Sequence, residues 1–213
     1  MKLQDLKKKL NEYPYVTDAV FYTQGAARKT IKNQLVEWCK KGHVIKLKKG
    51  IYTLNNEERK VGLSKKLIAN VLYHPSYISL EYALEYYQMI PEAVFSVTSV
   101  TPKKTQKFSN PFGQFVYKNI KRNLLFGYIS MKDEFNYDIL IATPEKALLD
   151  FFYLKTPFTM EIEDSYFEES LRLQNIEQLD NTKMEIMAKK FNSVKINKIL
   201  RAFLKWKKGL ENA

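Results

Sequence analysis

Apolar residues recur at helical spacing through the first part of the chain. Leu3, Leu6 and Leu10 form the stripe of an amphipathic helix, and Pro14 ends it. Thr17 can cap a second short helix through DAVFYTQ. The longer run AARKTIKNQLVEWCKKG then places its apolar residues on one face and its basic residues on another. The pattern therefore predicts three helices before Gly42.

Two β-branched runs follow the third predicted helix and flank a basic glycine turn. Residues 44–47 and 51–54 have strand length, and Gly50 can adopt the positive φ of a tight turn. Three helices and a basic hairpin predict a winged helix-turn-helix over residues 1–60, in which the third helix enters the major groove and the hairpin lies along the DNA backbone. The candidate DNA-binding residues are Arg28, Lys29, Lys32 and Asn33 on the helix and Lys46, Lys48 and Lys49 on the hairpin.

Beyond residue 64, runs of strand length alternate with helical patterns. AVFSVTSVT, TQKF, GQFVYKNI, LLFGYISM and YDILIAT predict a mostly antiparallel sheet, with a turn between Asn110 and Gly113. Ser79 and Thr143 are the predicted N-caps of flanking helices, and Thr182 with Glu185 is a predicted capping box before a helical tail. We therefore expect an α+β fold, with a second domain over residues 64–213.

Positive charge dominates the composition and is distributed in blocks. The formal net charge of +12 favours a polyanionic partner, without separating DNA, RNA and an acidic membrane. Residues 101–130 carry six basic and no acidic side chains, whereas residues 158–182 carry seven acidic and one basic. Lys118, Lys121 and Arg122 in the basic block form a second candidate nucleic-acid or antitoxicity patch. The lysines of the hairpin could alternatively serve only to discourage pairing at a strand edge.

The chain carries no recognisable targeting or membrane signal. Its first ten residues alternate charged and apolar positions, which differs from the apolar core of a signal peptide. No later run reaches the roughly 18 apolar residues of a membrane span. Cys39 is the only cysteine, which fits a reducing compartment. These features predict a cytoplasmic protein that does not contact a membrane.

Catalytic and metal-binding patterns are weak. His43, His74 and Cys39 lie in unrelated sequence contexts, so we expect no metal site, and no cofactor motif is present. Asp138, Glu145 and Lys146 are the residue types of metal-dependent nucleases, but Glu145 and Lys146 are adjacent at a predicted helix start, where both cannot face one metal. The helix dipole accounts for Glu145. We therefore expect no catalytic residues.

Aromatic residues alternate with the basic ones in QFVYKNIKRNLLFGY. Phe115, Tyr117, Phe126 and Tyr128 could stack on the bases of a single strand, or they could pack in the core. Period-two alternation places Phe115 and Tyr117 on one face, which favours the core. Single-stranded RNA binding and nucleic-acid processing remain the alternatives to duplex DNA binding.

A resemblance to a known family rests on four segments behind the predicted winged helix. YISLEYALEYYQMIPEAVFSVTSVT, FGQFVYKNI, LLFGY and ATPEKALLDFFYL together resemble the AbiEi family of abortive-infection antitoxins, over about residues 1–157. The resemblance implies a type IV toxin-antitoxin system of phage defence. It also implies a transcriptional autorepressor whose N-terminal domain binds inverted repeats at its own promoter.

The same resemblance implies that the second domain carries the antitoxicity. The functional partner would be a nucleotidyltransferase toxin of the AbiEii type, opposed without a stable toxin complex. The acidic stretch and basic tail over residues 157–213 match no motif of the family. The resemblance therefore implies no role for residues 157–213.

Overall fold

The computed structural model of the protein describes residues 3–19 and 28–211, without the side chains of Lys9, Arg28 and Glu211. The predicted second helix lies largely outside these residues. The N-terminal elements are α1 (Leu3–Glu12), β1 (Val16–Thr17), α2 (Arg28–Lys40), β2 (Val44–Lys48) and β3 (Ile51–Leu54). The predicted third helix is therefore α2.

The three N-terminal strands form a small antiparallel sheet in the order β1-β3-β2. Thr17, predicted to cap a helix, instead lies in β1 and pairs with Ile51. One cluster of apolar side chains joins α1, α2 and this sheet. Its buried members are Leu6, Leu10, Val16, Ile31, Leu35, Trp38, Val44, Tyr52 and Leu54.

The remaining elements build a larger α+β unit, as predicted. The helices are α3 (Lys65–Leu72), α4 (Leu80–Tyr86), α5 (Pro144–Lys155), α6 (Asn181–Phe191) and α7 (Val194–Glu211), with a π-helical turn at Tyr166–Ser170 and 3-10 turns at Arg122–Leu124 and Ile176–Gln178. The strands are β4 (Tyr77–Ile78), β5 (Val97–Thr101), β6 (Gln106–Asn110), β7 (Gly113–Asn119), β8 (Tyr128–Lys132) and β9 (Asp138–Ala142).

The larger sheet is mixed: three of its five strand pairs are antiparallel, as predicted for most of the sheet, and two are parallel, which was not predicted. Its order is β6-β7-β5-β4-β9-β8, and the pairs β5–β7 and β4–β9 are parallel. The strands β6 and β7 form the predicted hairpin, with Asn110 opposite Gly113. Because β7 rather than β6 joins β5, the second strand of that hairpin runs parallel to its neighbour.

Of the three helix caps predicted beyond residue 64, two are confirmed in position and one is wrong. Thr143 precedes α5 and its hydroxyl oxygen accepts from the Lys146 N–H at 3.4 Å. Ser79 precedes α4, but its hydroxyl donates to Asp150 and makes no capping hydrogen bond to the helix. Asp180, not Thr182, caps α6, since its carboxylate accepts from the Lys183 N–H at 3.0 Å. Asp is among the best N-caps and its charge also complements the helix dipole, so the helix begins one residue after it.

The larger core contains two of the four aromatic residues that were candidates for base stacking, while Phe126 packs against it partly buried and Tyr128 is 38% exposed. Phe115 and Tyr117 are fully buried, and the Tyr117 hydroxyl donates to the carbonyl oxygen of Ala69 in α3 at 2.5 Å. The prediction that these two rings pack in the core is confirmed. No helix in the described parts of the chain is both long enough and apolar enough to cross a membrane.

Candidate nucleic-acid interface

The exposed face of α2 carries three of the four predicted helix contacts. Lys29, Lys32 and Asn33 are exposed, while Ile31 and Leu35 on the opposite side enter the small core. The fourth predicted contact is Arg28, whose side chain is outside the described part of the structure. The helical period thus separates a buried apolar stripe from an exposed polar face near the N-terminus of the helix.

The hairpin between β2 and β3 exposes two of its three lysines. Lys46 and Lys49 are exposed, and Gly50 turns the chain with φ of 85°. The main-chain N–H of Asp18 donates to the Gly50 carbonyl at 2.9 Å, which ties the segment after β1 to this turn. The turn therefore exposes two positive charges, and the hydrogen bond from Asp18 fixes its backbone at Gly50.

Lys48 behaves differently from its two neighbours. It is half-buried, its amine donates to the carbonyl oxygen of Leu72 at the end of α3, and it lies 5.9 Å from the centre of the Phe108 ring. Burial, and secondarily the charge of Lys103, lowers the pKa of Lys48. A lysine held in this way is not presented to solvent as Lys46 and Lys49 are.

The second candidate patch lies where β7 ends. Lys118 is half-buried on β7, and Lys121 and Arg122 are exposed at the following 3-10 turn. The strand beneath this patch is anchored by the buried Phe115 and Tyr117 rings. The basic groups are thus accessible at a fixed point of the sheet, while the neighbouring rings on β7 are not available to stack on bases.

The three residues that could have suggested a nuclease, Asp138, Glu145 and Lys146, have separate partners in the structure. Asp138 is exposed and pairs with Lys132 at 2.8 Å, and Glu145 pairs with Lys183 at 2.9 Å. Lys146 is fully buried. Among the described residues, no group of three or more His, Cys, Asp or Glu side chains could hold a metal ion. His43 instead contacts Glu58 at 2.8 Å.

Lys146 belongs to a buried polar network that sequence reasoning missed. Its amine pairs with the carboxylate of Asp150 one helical turn later and donates to the Tyr77 hydroxyl at 2.7 Å. The hydroxyls of Tyr77 and Ser79 both donate to Asp150, at 2.9 and 2.8 Å. Burial lowers the pKa of Lys146 and raises that of Asp150, against the attraction between the two charges. The network fixes α5 to β4 and to the start of α4.

The chain matches no protein-family model and no curated protein. The resemblance to AbiEi antitoxins therefore rests on the residues that carry it, and the function that it implies is a proposal.

Proposed function

We propose that the protein is a winged-helix repressor that binds double-stranded DNA at its own promoter. The helix α2 would enter the major groove, and the β2–β3 hairpin would lie along the sugar-phosphate backbone. The observation that carries the proposal is that two consecutive elements expose basic residues while sharing one apolar core. These residues are Lys29 and Lys32 on α2 and Lys46 and Lys49 on the hairpin.

The arrangement of the small sheet supports this proposal. Because β1 pairs with β3, it covers one edge of the hairpin and leaves β2 at the other edge, beside α2. Base reading and backbone contact both need the helix and the hairpin to keep a fixed separation. A shared core and a three-stranded sheet supply that rigidity. One such unit reads one half-site, so two copies would occupy an inverted repeat.

We further propose that the protein is the antitoxin of a type IV system, with an AbiEii-type nucleotidyltransferase as its functional partner. This part rests on the family resemblance. The segments that carry the resemblance form β4, α4 and β5, then β7, the approach to β8, and α5. The strands β7, β5 and β4 are consecutive neighbours in one sheet, and α5 follows β9 of the same sheet, which supports reading these segments as one functional unit. Lys118, Lys121 and Arg122 are its candidate antitoxicity residues.

Removing the exposed charges of the hairpin should flatten the salt dependence of DNA binding. We expect the double variant Lys46→Ala/Lys49→Ala to bind every duplex more weakly, and its log-log salt slope to fall by roughly two units, about one for each lost phosphate contact. Lys198→Ala/Lys205→Ala on α7 is the matched control, since it removes two exposed lysines from another surface. Fluorescence anisotropy over a range of salt concentrations gives both slopes. Equal slopes for the two variants would contradict the assignment of the hairpin.

Removing the second patch should affect protection rather than operator binding. We expect full-length protein with Lys118→Ala, Lys121→Ala and Arg122→Ala to protect cells less well when it is co-expressed with its toxin, because the toxin acts on anionic nucleotides. Colony counts after toxin induction measure the loss, and anisotropy measures DNA binding. The Lys198→Ala/Lys205→Ala variant should protect fully. Full protection by the triple variant would show that this patch is not needed for antitoxicity.

A further inference from the structure

The β2–β3 hairpin is attached to the larger domain as well as to its own. Leu47 and Ile51 are 2% and 7% exposed, and both belong to the larger core rather than to the small one. The side-chain amide of Asn110, at the end of β6, donates to the Leu47 carbonyl at 3.1 Å. The hairpin therefore bridges two apolar cores.

A β-bulge explains why Lys48 points away from the exposed surface. Lys46 is opposite Tyr52 and Lys48 is opposite Ile51, so Leu47 is an extra residue between them. A bulge of this kind interrupts the alternation of the strand and re-aims the side chains that follow. Leu47 turns into the larger core, and Lys48 turns towards α3 and β6.

The end of α3 supplies a favourable position for the Lys48 amine. The last carbonyl groups of a helix lack helical partners and carry partial negative charge, so a cation there is stabilised. Lys48 donates to one of these carbonyls, that of Leu72. The Phe108 ring beside the amine is itself fixed edge-on against Tyr117, at 5.7 Å between ring centres.

We propose that Lys48 and Asn110 are positioning residues, which clasp the hairpin onto the larger domain and set the angle at which Lys46 and Lys49 meet DNA. This inference rests on the proposed DNA binding and assigns Lys48 a role other than phosphate contact. The larger domain thereby becomes part of the DNA-binding geometry. The lowered pKa of the Lys48 amine, caused first by burial, agrees with its enclosed position.

Hydrogen exchange on the free protein tests the clasp without DNA. The variant Lys48→Met keeps an aliphatic side chain and removes the amine, and Lys49→Met is the matched exposed control. We expect amide exchange over residues 44–54 to become about tenfold faster in Lys48→Met and to be unchanged in Lys49→Met, because only the first loosens the hairpin. Asn110→Asp is the second variant. It keeps the oxygen that accepts from the Phe112 N–H but loses the donor to Leu47, so it should also speed exchange.

The salt dependence of duplex binding separates positioning from phosphate contact. We expect Lys48→Met to weaken binding with an unchanged log-log slope, and Lys49→Met to lose about one unit of slope. A loss of slope in Lys48→Met would overturn the inference, as would unchanged exchange in both Lys48→Met and Asn110→Asp. If the wild-type protein bound no duplex, the proposed function would fail, while the exchange experiment would still decide whether the clasp exists.

Discussion

Replacing Asp150 with asparagine should lower the free energy of unfolding by about 3–5 kcal/mol, because it leaves the Lys146 amine buried without an opposite charge. Asparagine matches aspartate in size, so the change removes charge with little change in packing. The amide oxygen of asparagine can still accept from the amine, but it carries no charge, and the amide NH2 would then face the Tyr77 and Ser79 hydroxyls that donate to Asp150. Urea denaturation followed by circular dichroism measures the loss as a shift of the midpoint at constant slope.

An exposed ion pair of the same residue types provides the control for this measurement. Lys132 and Asp138 also pair, but more than half of each side chain is exposed. Asp138→Asn should cost less than about 1 kcal/mol, since solvent screens both charges. Lys146→Met in the Asp150→Asn background should recover part of the stability by removing the isolated charge. Equal losses for Asp150→Asn and Asp138→Asn would contradict the view that the buried pair organises the larger domain.

Changes on the exposed face of α2 should have the largest effect on DNA recognition. Asparagine can pair with adenine through two hydrogen bonds, and a good pair of this kind contributes about 1–3 kcal/mol of discrimination. Asn33→Ala should therefore relax the preference at one base pair of each half-site and leave the affinity for unrelated duplexes unchanged. The triple variant Lys29→Ala/Lys32→Ala/Asn33→Ala should bind the operator no more tightly than unrelated DNA, a loss of about a thousandfold or more.

Lys40 at the other end of α2 is the control for these variants. It is exposed and basic like Lys29 and Lys32, but it lies in the last turn, whereas recognition helices contact base edges with their N-terminal residues. Lys40→Ala should leave sequence preference intact. Competition binding against a set of single-base operator variants measures the preference. If Asn33→Ala instead weakened binding equally to all DNA sequences, α2 would contact the DNA backbone without reading bases.

Local features of the fold could be predicted from the sequence because neighbouring residues determine them. The Thr143–Pro144 start of α5 and the turn between Asn110 and Gly113 are examples, since cap and turn chemistry acts over a few residues. The residue that caps α6 was harder to predict. Two cap residues, Asp180 and Thr182, compete within one short stretch, and a pattern alone does not decide between them.

Features that depend on distant pairing were not predictable in the same way. The β1 strand has two residues, too few for a period to be seen, and the parallel β5–β7 pair depends on which strand of a hairpin joins the sheet. The bulge at Leu47 reverses the direction of Lys48, although the sequence places Lys46 and Lys48 in the same alternation. A basic run on a hairpin thus contains one residue with a different role.

The buried network had one sequence signal. Lys146 and Asp150 are four residues apart, which on a surface helix would be an ordinary exposed pair. However, α5 is apolar around most of its circumference, and a helix of that kind is enclosed by the rest of the domain. Charged residues on an enclosed helix must be paired, so the composition of α5 could have indicated the Lys146–Asp150 pair.

Footprinting of the DNA upstream of the protein's own gene tests the central proposal most directly. If two winged-helix units bind one face of the duplex, two inverted half-sites should be protected, with centres separated by about 10 base pairs or a multiple of that spacing. Protection should disappear in the Lys29→Ala/Lys32→Ala/Asn33→Ala variant and persist in Lys40→Ala. Absence of protection with the wild-type protein, or tighter binding to the separated single strands than to the duplex, would contradict it.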